Sequence, residues 1–142
     1  MGKKLTVEVS IKVNAPASKV WNALTKPELI KQYLYGTEVK SNWKVGSRIT
    51  YKGVWGGKAY EDRGVIKKIQ PRKLFQSTYL SSMSEKEDKP ENYATVTYEL
   101  QKEFNGTRLT ISQDNIENED GKKHMKENWE IVLKKLKDVV ER

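Results

Sequence analysis

The sequence predicts an α+β domain in which an antiparallel sheet is covered by one long C-terminal helix. Two short helical segments near the start precede a run of about six strands, and the short turns between these strands make their neighbours antiparallel. The chain ends in "KKHMKENWEIVLKKLKDVVER", which is long enough to cover the apolar face of such a sheet. Its apolar residues recur at helical spacing and form one face: Met125, Trp129, Val132, Leu133, Leu136, Val139 and Val140.

The first strand is predicted from "LTVEVSIKV", in which apolar residues alternate with polar ones, as in a half-buried strand. In "NAPASKVWNALT", Pro16 suits the first turn of a helix, and Val20, Trp21 and Leu24 share a face. Pro27 breaks this helix and begins a second short one, "PELIKQYL". Neither helix is long enough to be stable alone, so both must pack against the rest of the domain.

Two turn signals organise the strands. Gly56-Gly57 separates "GSRITYKGVW" from "KAYEDRGVIKKI", and Asn105-Gly106 separates "YATVTYEL" from "TRLTIS", so both pairs are predicted hairpins. Between them, "LFQSTYLSS" is a further strand, and the charged "SEKEDKPE" predicts a mobile loop. The last helix is expected over residues 121–141, with Asn118 or Asp120 as its cap. We expect residues 1–142 to form a single domain, since no linker interrupts them.

Composition excludes several classes of site. The sequence has no Cys and a single His, His124, so disulfides, thiolate zinc sites and His-rich metal sites are excluded. No run approaches the ~20 apolar residues of a membrane span, and the first residues lack the apolar core of a signal peptide, so a soluble cytoplasmic protein is expected. "MGKKLT" matches the N-myristoylation pattern at Gly2 and Thr6, but we expect Thr6 simply to begin a strand.

The net charge of +8 is concentrated in the first half of the chain. Residues 1–70 hold 14 Lys and Arg against 5 Asp and Glu, whereas residues 71–142 hold 13 against 14. The lysines are scattered, which is typical of a solvated face that attracts anions at long range. We expect no sequence-specific nucleic-acid site.

Several segments carry a family resemblance: "VNAPASKVWNALTKPELIKQYL", "KVGSRITY", "GVIKKIQPRKL" and the Trp129-centred "HMKENWEIVLKKL". In this order, and over nearly the whole chain, they resemble the START-like, helix-grip superfamily (SRPBCC). More narrowly, they resemble the family named for the activator of heat-shock protein 90 ATPase. The resemblance implies a curved antiparallel sheet wrapped around the long C-terminal helix, with a deep apolar cavity between them. Members of the superfamily bind lipids, polyketides or flavonoid-like compounds, and some are cyclases or hydrolases. The "NxxNWHW" stretch of the activator itself does not occur here.

Any single large aromatic ring is better explained as part of a core, but the whole set in the strands and the last helix favours a pocket rather than a solid core. Met83 and Met125 are expected at opposite sides of its mouth, with "SSMSEKEDKPE" as a movable flap. Tyr79, Tyr98 and Gln113 are candidate polar anchors. The complete candidate ligand-binding set is Trp55, Tyr60, Phe75, Tyr79, Met83, Tyr98, Gln113, Met125, Trp129 and Leu133.

Neither catalysis nor metal binding has a clear set of residues. His124 lies between lysines at the start of the last helix, where surface polarity is its expected role. The acidic cluster Asp114, Glu117, Glu119 and Asp120 lacks the alternating spacing of a calcium loop. Glu61 and Arg63 share one face of a strand, and we expect that face to point outward. No catalytic residue, metal or cofactor is therefore predicted.

The sequence favours a non-enzymatic domain that binds a small hydrophobic molecule between the sheet and the last helix. The alternative is a protein-interaction module of the co-chaperone type that uses the basic first half, with the chain a monomer or weak dimer. A cyclase- or hydrolase-type enzyme is a further alternative, because buried Tyr and Glu can act as acid or base.

Overall fold

The computed structural model describes residues 4–142, so the myristoylation pattern at Gly2 lies outside the described residues. Two short 3₁₀ turns, Ser82–Ser84 and Pro90–Asn92, lie between the fifth and sixth strands. The main elements follow in chain order: β1 (Leu5–Val13), α1 (Ala17–Thr25), α2 (Pro27–Tyr33), β2 (Glu38–Ser41), β3 (Arg48–Trp55), β4 (Lys58–Gln70), β5 (Leu74–Tyr79), β6 (Ala94–Glu103), β7 (Gly106–Ile116) and α3 (Glu119–Glu141).

All seven strands belong to one sheet, in the order β1-β7-β6-β5-β4-β3-β2. Every neighbouring pair is antiparallel, which leaves β1 and β2 as the two edges. The register shifts between Leu5 and Val7 in β1 and between Ile66 and Lys68 in β4. Such irregularities bend a strand and increase its twist. The predicted α+β class, with two short helices after the first strand and a long C-terminal helix on an antiparallel sheet, is confirmed.

The two predicted hairpins differ in accuracy. Gly56 and Gly57 form the turn between β3 and β4, with φ angles of 57° and 81°, as a two-residue hairpin turn with two positive φ angles requires. The second turn was predicted at Asn105-Gly106, which is wrong by one residue. Glu103 pairs with Gly106, so the turn residues are Phe104 and Asn105. Gly106 begins β7, where a Cβ atom would overlap the carbonyl oxygen of Val13, so packing rather than turn geometry requires this glycine.

The core lies between one face of the sheet and the three helices. Residues at helical spacing on α1 and α2 are buried, among them Val20, Leu24 and Ile30, which explains how two such short helices are held. The Tyr33 hydroxyl donates a buried hydrogen bond of 2.7 Å to the carbonyl oxygen of Ala23, which joins the two helices. On α3 the buried residues are Val132, Leu133, Leu136 and Val140.

Helix α3 is capped at its start and attached to the end of β1 at its last turn. At its start, the Asn118 side-chain oxygen accepts a hydrogen bond of 2.8 Å from the Gly121 backbone N–H, which satisfies one free donor of the first turn. At its end, the Glu141 carboxylate accepts from the Asn14 backbone N–H at 2.7 Å and from the Lys137 ammonium. Lys137 also donates to the Lys12 carbonyl oxygen at 3.1 Å. The last turn of the helix is therefore tied to the end of β1.

No helix within residues 4–142 combines the length and the apolar character that crossing a bilayer requires.

Candidate functional site

A pocket of about 400 Å³ lies between the sheet, α3 and the segment after β5. Its walls come from β3 to β7, from the segment that follows α2 and from one face of α3. Seven of its 18 lining residues are aromatic, so large rings with polar tips form much of the wall: Tyr35, Tyr51, Trp55, Tyr60, Tyr79, Tyr98 and Trp129. Such walls suit a planar or hydrophobic molecule, because the rings provide contact area and their tips can orient it.

The mouth of the pocket is marked by lining residues that are also exposed to solvent. Trp55 is 58% exposed, Met83 42% and Tyr35 38%. Tyr35 and Trp55 meet edge to face, with ring centroids 5.3 Å apart. The Lys135 ammonium lies 4.6 Å from the centroid of the Tyr35 ring, outside the pocket itself. The mouth is thus a small aromatic rim on the protein surface.

Eight of the ten candidate residues from the sequence line this pocket: Trp55, Tyr60, Tyr79, Met83, Tyr98, Gln113, Met125 and Trp129. The other two do not. Phe75 stacks on Tyr98 from the core side, with centroids 5.6 Å apart. Leu133 is buried in the core, because the side of α3 that faces the pocket carries Val132 instead.

Trp129, Gln113 and Tyr98 form the wall where α3 meets the sheet. The Trp129 indole N–H donates to the Gln113 side-chain oxygen at 3.0 Å, and the Trp129 ring meets Tyr98 edge to face at 6.1 Å. Within residues 4–142, neither the Tyr98 hydroxyl nor the Gln113 amide nitrogen forms a hydrogen bond with protein. No fully buried side-chain nitrogen or oxygen in this range lacks a partner, so these two groups must border open space. Both are therefore free to bind a molecule in the pocket.

Asp62 in β4 is a functional candidate that the sequence analysis missed. Only 7% of it is exposed, and it lines the pocket. One carboxylate oxygen accepts hydrogen bonds from the Ser82 backbone N–H at 2.8 Å and from the Ser82 hydroxyl at 3.2 Å. The other oxygen accepts from the Tyr79 hydroxyl. Asp62 therefore connects the pocket wall to the 3₁₀ turn that carries Met83.

The residues on either side of Asp62 point away from the pocket, as strand alternation requires. Glu61 forms a surface ion pair with Lys52 at 3.5 Å, and Arg63 forms one with Asp88 at 3.1 Å. The expected outward orientation of Glu61 and Arg63 is the sequence signal from which Asp62 could have been found. If these two face outward, Asp62 between them must face inward.

Burial keeps the pocket tyrosines protonated. It raises the pKa of the Tyr51 hydroxyl to about 12, and a hydrogen bond with Ser77 offsets part of the effect. Burial, followed by the hydrogen bond to the Asp62 carboxylate, raises the pKa of Tyr79 far above its usual value. Burial also raises the pKa of Tyr98 well above that value. At neutral pH these groups are hydroxyls that can donate hydrogen bonds, and none is a phenolate base.

The raised pKa of Tyr51 predicts a loss of stability in alkali. An unfolded tyrosine ionises near pH 10, whereas folded Tyr51 holds its proton until about pH 12. Its contribution is fully present below about pH 10 and is lost as the pH rises towards 12, at no more than about 1.4 kcal/mol per pH unit. Because the unfolded tyrosine is only half ionised at pH 10, Tyr51→Phe should lose about 1 kcal/mol less stability than wild type between about pH 10 and pH 11, as measured by urea denaturation. Parallel losses in the two proteins would contradict the assignment.

The acidic residues that the sequence offered as metal ligands contact other groups of the protein. Within residues 4–142, no group of three His, Cys, Asp or Glu side chains is arranged to hold a metal ion. Asp114 accepts a hydrogen bond of 2.6 Å from the Thr95 backbone N–H, and Glu117 pairs with Lys4 and Lys86. His124 is exposed on α3.

The family follows from the sequence together with this fold. Residues 14–141 match the family model described as "Activator of Hsp90 ATPase homolog 1-like protein". The chain belongs to this family. The resemblance to the helix-grip superfamily and to the Hsp90 ATPase activator homologues is thereby confirmed.

Solved structures place the activator-homologue chain among similar folds. ChR145 from Cytophaga hutchinsonii is 45% identical, with a TM-score of 0.87 over 99% of this chain and 97% of that one. MLL2253 from Mesorhizobium loti is 25% identical, with a TM-score of 0.78 over 97% and 98% of the two chains. The Aha1 dimer from Colwellia psychrerythraea is 21% identical, with a TM-score of 0.76 over 96% of each, and shares the fold. A search of curated proteins found no match.

Proposed function

We propose that this protein binds a small hydrophobic molecule, such as a lipid, polyketide or flavonoid-like compound, in the pocket between the sheet and α3. The observation that carries the proposal is the combination of aromatic walls with two polar groups, on Tyr98 and Gln113, that have no partner among residues 4–142. The volume of about 400 Å³ falls in the range of roughly 300–1,000 Å³ that is usual for small-molecule sites.

The free groups on Tyr98 and Gln113 influence which ligands suit this wall. A ligand that covers them without supplying a partner would desolvate them at a cost of about 1–3 kcal/mol each, whereas a ligand that supplies a partner avoids this cost. The Tyr98 hydroxyl and the Gln113 amide nitrogen are both donors, so this wall favours a ligand with a carbonyl or ether oxygen. The apolar part of the wall is formed by the rings and by Leu34, Met83, Val96, Met125 and Val132.

A tryptophan-fluorescence screen of lipids and polycyclic aromatic compounds tests the proposal. Trp55 and Trp129 line the pocket, whereas Trp21 and Trp43 do not. Trp129→Phe should therefore remove much of the ligand-induced change, while Trp43→Phe should leave it in place. A binding compound should also stabilise the folded state by mass action, by about 2.7 kcal/mol at a hundredfold excess over its Kd, and so raise the melting temperature. If no compound in the screen changes either signal, the proposal is wrong.

The polar wall makes a sharper prediction. Tyr98→Phe should weaken a ligand with an acceptor oxygen by about tenfold at most, the value of one neutral hydrogen bond, and should spare a hydrocarbon of similar shape. Tyr93→Phe is the matched control, since the Tyr93 hydroxyl bonds to Asp88 rather than lining the pocket. Isothermal titration of both variants checks this. Equal losses for the oxygenated and hydrocarbon ligands would show that Tyr98 makes no polar contact.

The exposed rim supports a protein-interaction module as the second candidate. Val54, beside Trp55, is 65% exposed. The Aha1 protein from Colwellia psychrerythraea, which shares this fold, is a dimer. Analytical ultracentrifugation tests self-association, and we expect a monomer or weak dimer. The ATPase rate of Hsp90, measured with and without this protein, tests a co-chaperone role. Stimulation of the Hsp90 ATPase that persists when the pocket is occupied would favour this candidate.

A cyclase- or hydrolase-type activity, the third candidate, would be detected as turnover of a bound compound.

A further inference from the structure

The charge inside the pocket is opposite to the charge of the protein. Asp62 is the one charged side chain among the lining residues that the structure describes, and none of them is Lys, Arg or His. The whole chain, by contrast, carries a net charge of +8. The basic residues are thus kept out of the pocket, and a carboxylate stands in its wall.

Asp62 retains capacity to accept a hydrogen bond. A carboxylate has about four lone-pair sites. Three are used: two by the Ser82 backbone N–H and hydroxyl on one oxygen, and one by the Tyr79 hydroxyl on the other. The oxygen that Tyr79 contacts can accept once more. The Tyr79 hydroxyl already donates its one hydrogen bond to Asp62, so its own oxygen can only accept from a ligand.

The pocket therefore has two chemically different ends. The end at Asp62 and Tyr79 offers acceptors, whereas the wall at Tyr98 and Gln113 offers donors. A ligand ammonium or hydroxyl at the Asp62 end would make a charge-assisted hydrogen bond, which is stronger than a neutral one. A ligand carboxylate at that end would meet a like charge in a largely apolar site without a cation to offset it, which is costly.

We infer that the ligand is a neutral or cationic hydrophobe that presents a hydrogen-bond donor, an amine or a hydroxyl, to Asp62, and that carboxylates such as fatty acids are excluded. This inference rests on the proposed function and adds the chemical class of the ligand. The electrostatic attraction of the basic surface brings anions towards the protein, and the pocket then selects against them.

Four naphthalene derivatives of similar shape test the inference by isothermal titration near neutral pH. Their substituents are an aminomethyl group (the amine), a hydroxymethyl group (the alcohol), a carboxylate, and a methyl group (methylnaphthalene). For wild type, the amine and the alcohol should bind at least about tenfold more tightly than the carboxylate. This order opposes the one that the net charge alone would produce. Comparable binding of the carboxylate would overturn the inference.

Asp62→Asn keeps the shape of the side chain and a carbonyl oxygen for Ser82 but removes the charge. The preference for the amine over the carboxylate should fall from about tenfold to about one in this variant. Glu61→Gln is the matched control, because it removes the same charge from the adjacent outward position. A preference that persists in Asp62→Asn, or that falls equally in Glu61→Gln, would refute the role of Asp62. If Asp62→Asn does not fold, the order of the probes on wild type decides alone.

The same four probes distinguish a failure of the proposed function from a failure of the inference about the ligand class. If methylnaphthalene and the three polar probes all bind equally, a hydrophobic pocket exists but the inference about its ligand is wrong. If none of the four binds, the proposed function fails at this size of ligand and the inference fails with it.

Discussion

Replacing Gly64 with alanine is expected to lower the free energy of unfolding by at least about 3 kcal/mol. Gly64 is buried in β4, and a Cβ atom there would overlap the backbone carbonyl oxygen of Thr78 in β5. Thr78 cannot easily move away. Its strand also pairs with β6 through Thr95, and its hydroxyl accepts a hydrogen bond of 2.9 Å from the Val65 N–H. The clash is thus with fixed backbone rather than with a flexible side chain.

Gly121→Ala is the matched control for this prediction. Gly121 lies in the first turn of α3, where a Cβ atom would be 3.4 Å from its nearest neighbours, an ordinary contact. Alanine is favoured over glycine in a helix by about 0.5–1 kcal/mol, so this variant should be as stable as wild type or slightly more stable. Urea denaturation followed by circular dichroism measures both. A Gly64→Ala midpoint equal to that of wild type would mean that β4 and β5 do not approach this closely.

The second large effect is expected for Trp129→Ala, which should cost about 3 kcal/mol, near the low end for a buried tryptophan. The ring is only partly buried, because one side of it faces the pocket. Its removal abolishes the edge-to-face contact with Tyr98 and leaves the Gln113 oxygen without its donor. Both losses weaken the contact between α3 and the sheet.

Trp55→Ala separates stability from binding. Trp55 also lines the pocket but is 58% exposed at the rim, so its truncation should change stability by less than about 1 kcal/mol. Both variants should weaken ligands, while only Trp129→Ala should shift the denaturation midpoint strongly. If Trp129→Ala denatures at the same urea concentration as wild type, α3 does not depend on this residue.

The fold was largely predictable because its strongest signals are periodic. Alternation over Leu5–Val13 and helical spacing over the last residues each correspond to one buried face, and both elements form where they were expected. The turn at Phe104 and Asn105 was displaced because the Asn-Gly signal is local. The contact of Gly106 with the carbonyl of Val13 joins residues far apart in the sequence, which no local pattern contains.

The candidate site was less predictable for two physical reasons. Alternation shows which residues face inward but not how far along the strand they lie, so Phe75 was grouped with Tyr79 although it packs in the core. Similarly, Val132 and Leu133 belong to one apolar face of α3, and only packing decides which of them borders the pocket. Asp62, in contrast, could have been found from Glu61 and Arg63, since its inward orientation follows from theirs.

The ties at the end of α3 have a consequence for the route of ligand exchange. Glu141 and Lys137 attach the last turn to the loop after β1 and to β1 itself, so that end of the helix cannot move away from the sheet without breaking these bonds. The 3₁₀ turn that carries Met83 lies at the mouth of the pocket, where Ser82 bonds to Asp62 and to the Glu61 backbone N–H. A ligand in the pocket would therefore exchange through the mouth at Tyr35, Trp55 and Met83, and any widening of this mouth would come from the turn rather than from the end of α3.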